Sequence, residues 1–350
     1  MTATSADTAP AHPLAKRVAD KLGVPQARVD LTLLPVVQSA VDEAAKTLVE
    51  EQHPVAFTVI VLDPPSGEVL GLAEPDMAST PRVTGSTMKS LTVAAALDEG
   101  VVALDDSFFC DNGKRDYGGK FLSDAFPAAN LTVSEILMMS SNIGTARIFD
   151  KLGGQKFGAW LRKFHFGDPE AIPLAPSSIE PVPQQIADGS LEGAEIAGGH
   201  LVRMASPFHL AAVYASFANG GFYNRPTLVK RVRDADGKVA SEHAPENERL
   251  FKPETAAVLR KALERVVHDE KGTGKNARVE GMRVAGKTGT FDEKMPSGET
   301  LLYGTFVGFA PAESPRYLIF VSVLSKDQDG TGGKLAAPTF SRIAKKLMAH

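Results

Sequence analysis

The two most apolar stretches of this chain stand far apart. Residues 57–62 (FTVIVL) lie near the start and residues 317–324 (YLIFVSVL) near the end, with a long helical block between them. Each has the length of a strand and is too short to span a bilayer. Such strands need hydrogen-bonding neighbours. The first has one close by: residues 57–63 and 68–73 flank Pro64-Pro65-Ser66-Gly67 and read as a hairpin. The second follows two further strand signals, residues 283–290 and 301–310. Short links within each group imply antiparallel pairing, so the expected class is α/β of the α+β kind, with one central, mostly antiparallel five-stranded sheet flanked by helices and interrupted by an all-helical insertion.

Helical spacing of Val36, Val37, Ala40, Val41, Ala44 and Leu48 predicts a helix over residues 34–51. A second is expected over 253–269 and a third from about Pro338 to the end, the first and last covering one sheet face together. The expected division is a flexible lead over residues 1–29 and one domain over 30–350. That domain is made of a sheet subdomain (30–85 plus 252–350) and a helical subdomain (86–251). The first fifteen residues, rich in Ala, Thr, Ser and Pro, have no apolar h-region and so are neither signal peptide nor anchor.

Composition excludes several classes of function. Lys+Arg 38 against Asp+Glu 42 gives a net charge of −4, which argues against a nucleic-acid partner. Cys110 as the single cysteine excludes an intrachain disulfide and any multi-cysteine zinc or iron–sulfur site, and none of the eight histidines forms a His-x-x-x-His metal pair. Residues 281–288 (GMRVAGKT) match the phosphate-loop pattern letter for letter. That loop, however, needs a strand feeding it and a helix leaving it, and Pro296 and Gly298 downstream argue against the helix. The match is read as coincidence.

Three other motifs carry chemistry. Ser86-Thr87-Met88-Lys89 opens a helix, and Ser86 is the only serine with a lysine three residues on. Three residues is nearly one turn, so Lys89 shares a face with Ser86 and can serve as its base if burial or a neighbouring cation lowers its pKa. The plain alternative is a serine cap with an exposed lysine. Ser140-Ser141-Asn142 follows the helical stretch 132–139. It can cap helices, or it can place the Ser140 hydroxyl as a proton relay and the Asn142 amide on a substrate carbonyl. Lys287-Thr288-Gly289-Thr290 sits on the first late strand, where the glycine marks close approach by a ligand or another backbone. Lys287 offers a fixed cation and the two threonines offer hydroxyls for a carboxylate, unless this is simply an edge strand protected by lysine.

In this order and on these elements, the three boxes are the signature of penicillin-binding proteins and related β-lactamases. The chain resembles the transpeptidase domain of a class B (high-mass, monofunctional) penicillin-binding protein of the cell-division and elongation type. The likeness runs over residues 30–350 and includes Asp124, residues 130–137 (NLTVSEIL), 206–211 (SPFHLA), Ala218-Asn219-Gly220-Gly221 and Gly272-Thr273-Gly274. The resemblance implies a β-lactamase/transpeptidase-like fold and acyl transfer without a cofactor. Ser86 is then the nucleophile, Lys89 its base, Ser140 the proton relay and Asn142 the holder of the donor amide. Lys287, Thr288, Gly289 and Thr290 form the carboxylate site, and the backbone N–H groups of Ser86 and Thr290 form an oxyanion hole. The implied partners are peptidoglycan stem peptides, β-lactams and other cell-wall synthesis proteins. The implied location is extracytoplasmic, with membrane attachment only through an anchor absent from this chain.

Three points depart from the expected family pattern: no membrane anchor or N-terminal pedestal domain is read in this sequence, the link 74–85 is short, and the Gly198-Gly199-His200 loop differs a little from the usual form, so His200 receives no role. A D,D-carboxypeptidase or β-lactamase of the same fold stays open, although the Glu-x-x-Leu-Asn loop of class A lactamases is missing. So does a β-lactam-sensing domain that is acylated without turnover.

Overall fold

Residue alternation along each central strand explains the architecture. In the last strand, Leu318 and Phe320 join one hydrophobic core, while Ile319, Val321 and Val323 join another on the opposite face. In the first strand Ile60 and Leu62 divide from Val59 and Val61 in the same way. The apolar runs are unbroken because both sheet faces are covered.

The computed structural model describes residues 13–169, 171, 172, 174 and 178–349. Its elements run α1 (Pro13–Lys21), β1 (Arg28–Leu31), α2 (Pro35–Gln52), β2 (Ala56–Leu62), β3 (Val69–Ala73), α3 (Met88–Asp98), α4 (Val133–Met139), α5 (Asn142–Leu152), α6 (Gly154–Lys163), α7 (Leu191–Gly198) and α8 (Pro207–Ala218). They continue with β4 (Val229–Arg233), β5 (Val239–Glu242), α9 (Pro253–His268), β6 (Ala285–Lys294), β7 (Thr300–Ala310), β8 (Tyr317–Ser325) and α10 (Ala337–Met348). The main sheet has the order β6-β7-β8-β2-β3 and every pair is antiparallel. The hairpin from one end of the chain therefore joins the three strands from the other, as expected. Helices α2 and α10 cover one face with Val37, Val41, Leu48, Phe340 and Ile343. The helical insertion covers the other. No helix among the described residues is long and apolar enough to cross a membrane.

Two expectations need correction. The stretch 1–29 is not a flexible lead throughout. Residues 1–12 lie outside the described residues, but α1 follows them with Val18 and Ala19 buried, and β1 pairs with β4 some two hundred residues later. A nine-residue helix is marginal alone, and tertiary packing secures it. The insertion is also not all-helical. Ser107–Phe109 pairs with Asn130–Thr132, Lys114–Asp116 pairs with Phe121–Ser123, and β1-β4-β5 form a three-stranded sheet. Part of the proline-rich run 169–183 falls outside the described residues.

Candidate active site

The site is a cleft between a helical wall and the edge strand β6. On the helical wall, one 3-10 turn at Gly85–Thr87 feeds directly into α3. Every residue from Met88 to Ala96 is buried, so α3 is a core helix and Lys89 enters the interior at 1% exposure. Its Nζ donates to Ser86 Oγ at 2.9 Å, to the Ser140 carbonyl at 2.8 Å and to Asn142 Oδ1 at 2.5 Å. Burial lowers the amine to about 7, with the Asp124 carboxylate pulling the other way. An exposed lysine beside a capping serine is thereby excluded. The Tyr214 hydroxyl donates to the Thr87 carbonyl, and Thr92 Oγ1 to the Ala197 carbonyl, fixing the helix in place.

The second box is built by two helices meeting at a sharp turn. A capping box between Thr132 and Glu135 starts α4, and Ser140 ends it at φ 60°, ψ 41°. A non-glycine residue in this left-handed region is strained and must be held by its surroundings. Here the turn aims both the carbonyl and the hydroxyl of Ser140 into the cleft. Ser141 then caps α5, accepting from Gly144 N. Beneath both lies Asp124. Its Oδ2 accepts from Ser141 Oγ at 2.6 Å and its Oδ1 from the backbone N–H groups of Asn142 and Ile143, at 2.5 and 3.0 Å. A carboxylate at a helix N-terminus satisfies orphan donors and opposes the positive end of the dipole. Asn142 itself donates from Nδ2 to the Ser123 carbonyl, which fixes the amide with its oxygen toward Lys89.

The opposite wall is β6, where Lys287 is fully buried. Its Nζ donates to Ser140 Oγ at 2.9 Å and to the Thr288 carbonyl at 3.1 Å. Lys89 Nζ lies 3.4 Å from the same Ser140 hydroxyl, so Ser140 sits between the two amines. Burial, then repulsion from Lys89, drives the Lys287 pKa far below that of a free lysine. Thr288 Oγ1 shares a hydrogen bond with Thr273 Oγ1 at 2.7 Å, and Thr290 Oγ1 accepts from Gly332 N at 2.9 Å, leaving its own proton to donate. Gly289 lies against the Gly85–Thr87 turn that carries Ser86. A Cβ there would come within 3.2 Å of Thr87 Cγ2 and 3.3 Å of the Thr84 carbonyl oxygen. The backbone N of Thr290 faces Gly85, the neighbour of Ser86.

All eight candidate residues thus converge. The phosphate-loop match fails structurally, since Gly286, Lys287 and Thr288 lie inside β6 and no helix follows. Sequence reasoning gave no role to three residues now in the site. Asp124 supports the second box and Thr273 partners Thr288. His200 places Nε2 3.2 Å from Asn142 Oδ1. Asp124 and Thr273 are signalled by their place in the family likeness, and His200 by the Gly198-Gly199 pair before it. Gly199, at φ 82°, packs so tightly on the turn before Ser86 that a Cβ would lie 2.0 Å from the Gly85 carbonyl oxygen.

The chain is similar to known proteins. The model of the penicillin binding protein transpeptidase domain matches residues 57–348. The chain is 30% identical over 354 residues to penicillin-binding protein PbpB of Mycolicibacterium smegmatis, covering 91% of this chain and 54% of the relative. It is 31% identical to stage V sporulation protein D of Bacillus subtilis, covering 90% of this chain and 52% of the relative. It therefore spans about half the length of these relatives. Among solved structures it is similar to the apo transpeptidase domain of Burkholderia pseudomallei penicillin-binding protein 3, with TM-score 0.80, 29% identity and 91% of this chain and 95% of the other covered. The structure of penicillin-binding protein 3 from Mycobacterium tuberculosis, complexed with aztreonam, gives TM-score 0.81 at 26% identity, with 92% and 79% covered.

Proposed function

The chain belongs to the penicillin-binding protein transpeptidase family, and from that premise we propose that it is a serine D,D-transpeptidase that cross-links peptidoglycan stem peptides and is covalently inhibited by β-lactams. The observation that carries the reading is Lys89, buried, lowered to about 7 and hydrogen-bonded to Ser86 Oγ. A neutral amine so placed takes the serine proton as Oγ attacks the carbonyl between the two terminal D-alanines. The backbone N–H groups of Ser86 and Thr290 receive the developing oxyanion. Ser140, between Lys89 and Lys287, passes the proton to the leaving D-alanine. The Asn142 amide holds the donor peptide, and Lys287 with the Thr288 and Thr290 hydroxyls holds the terminal carboxylate, Gly289 letting the strand approach. An amine from a second stem peptide then takes the acyl group from Ser86, releasing the serine and closing the cross-link. This chemistry places the site outside the cytoplasmic membrane, beside other cell-wall synthesis proteins.

Intact-protein mass after brief incubation with benzylpenicillin tests the reading. We expect a stable adduct of one antibiotic mass on the wild type and none on Ser86→Ala. Consumed antibiotic with unmodified protein would mean a β-lactamase, and donor hydrolysis unaffected by an added acceptor amine would mean a carboxypeptidase. Because the base is the neutral amine, the acylation rate should rise with pH through about 7. A rate flat from pH 6 to 8 would remove Lys89 from that role.

A further inference from the structure

His200 lies at the end of the α7 loop that clamps the nucleophile's turn: Gly85 N donates to the Gly199 carbonyl at 2.8 Å. Its ring packs on Gly198, where a Cβ would meet Cδ2 at 2.9 Å and would lie 4.0 Å from Lys89 Cε. His200 also lines a cleft of about 570 Å³ with Val83, Arg203, Thr290 and Glu293. It therefore stands between the reacting groups and the space a donor peptide would fill. Burial, with repulsion from Lys89, holds the imidazole down to about 4, so the ring is uncharged at neutral pH and carries one proton. Asn142 Nδ2 is committed to the Ser123 carbonyl, so the atom facing His200 is the amide oxygen, which only accepts. The ring proton is therefore on Nε2.

We propose that His200 is a positioning residue of the acylation machinery, donating Nε2–H to Asn142 Oδ1 and thereby locking the amide that receives the acyl donor. Two contacts then hold Asn142 on its cleft side, one at each end of the amide: Ser123 on the nitrogen, His200 on the oxygen. Lys89, which also donates to that oxygen, is left to change its protonation during turnover without the amide swinging after it. The inference rests on the transpeptidase reading above.

The test compares two penicillins. Benzylpenicillin has a side-chain amide carbonyl for Asn142 to hold, whereas 6-aminopenicillanic acid has a bare amine there. Second-order acylation constants are measured at pH 8 for wild type, His200→Phe, which fills the space without the donor, and His200→Gln, whose terminal N–H can replace Nε2–H. We expect His200→Phe to lose about tenfold toward benzylpenicillin, the worth of one buried hydrogen bond, and about twofold or less toward 6-aminopenicillanic acid. His200→Gln should stay within about twofold of wild type on both. Equal losses on the two compounds would mean a merely structural role and would overturn the proposal. So would a His200→Phe variant as fast as wild type, or a His200→Gln variant as slow as His200→Phe. A wild type acylated by neither compound would take down the transpeptidase reading along with it.

Discussion

The two walls of the cleft hold a buried lysine each, and they hold it differently. On the helical wall Lys89 sits above a pinned network in which Asp124 accepts from Ser141 Oγ and from two backbone N–H groups at the start of α5. A fixed negative charge lies beneath the amine and raises its pKa against burial. On the strand wall Lys287 is placed by the β6–β7 ladder, opposite Val307, and donates only to uncharged oxygens. Its pKa too lies well below that of a free lysine, lowered by burial and by Lys89, with no carboxylate to oppose the shift. Two amines on one hydroxyl cannot cheaply both be charged. The difference assigns the proton: Lys89, with a carboxylate below it, is the amine fitted to gain and lose one. In the proposed function Lys287 waits for a charge that arrives with the substrate, whose carboxylate would complete an otherwise uncompensated strand wall.

Removing the carboxylate breaks this comparison most severely. Asp124→Ala leaves two backbone N–H groups and the Ser141 hydroxyl without their acceptor, at a cost of about 3–5 kcal/mol by chemical denaturation. Acylation should fall about 100-fold as the second box loosens. Lys89 also loses the charge that raises its pKa, so the acid limb of the remaining activity should move to lower pH. A stability loss under about 1 kcal/mol would mean that the network is not what holds the helical wall.

Lys287→Met should do the reverse in kind. It deletes a buried amine with no carboxylate partner and puts an apolar chain of similar length in its place. Stability should stay within about 1 kcal/mol of wild type or rise. Acylation should drop about 100- to 1,000-fold, since the group proposed to receive the donor's carboxylate is gone. Denaturation and acylation measured on the same preparation check both. A large stability loss would show that the strand wall is as heavily pinned as the helical one.

The same contrast separates what the sequence shows from what it hides. The three inner strands of the main sheet, β7, β8 and β2, are legible because each is a run of residues buried on both faces. β8 spans Tyr317–Ser325 as read, whereas β6 was expected to stop at Thr290 and runs on to Lys294. Phe291-Asp292-Glu293-Lys294 looks like a loop, yet β7 pairs it residue by residue as far as Lys294 opposite Thr300. The three boxes are legible because their spacing is local: Ser86 and Lys89 share a helix face, and Lys287 to Thr290 share a strand. Asp124 and His200 are not, because their partner Asn142 lies 18 residues after one and 58 before the other. What joins them is a short strand ribbon and a Gly-Gly loop without periodicity. Helix α1 was hidden for a related reason, its apolar face being too short to stand out from an alanine- and proline-rich context.

The smallest expected effect tests where the walls touch. Gly289 was read from sequence as a place where something comes close, and in the structure the close neighbour is the nucleophile's turn. A methyl group there meets Thr87 Cγ2 at 3.2 Å, the Thr84 carbonyl oxygen at 3.3 Å and Thr305 Cβ at 3.5 Å, with no positive φ to strain it. Each neighbour has to give by only a few tenths of an ångström, so Gly289→Ala should cost about 1 kcal/mol in stability. The displacement is not shared equally. β6 is tied to β7 along ten paired residues, whereas the turn at Gly85–Thr87 is a single 3-10 turn. The turn should therefore yield, carrying Ser86 with it. Acylation is then expected to slow more than the stability loss accounts for, about three- to tenfold, since small misplacement of a nucleophile is costly. Acylation that stays at the wild-type rate, with the same modest stability loss, would show instead that the strand yields and the helical wall sets the geometry of the cleft.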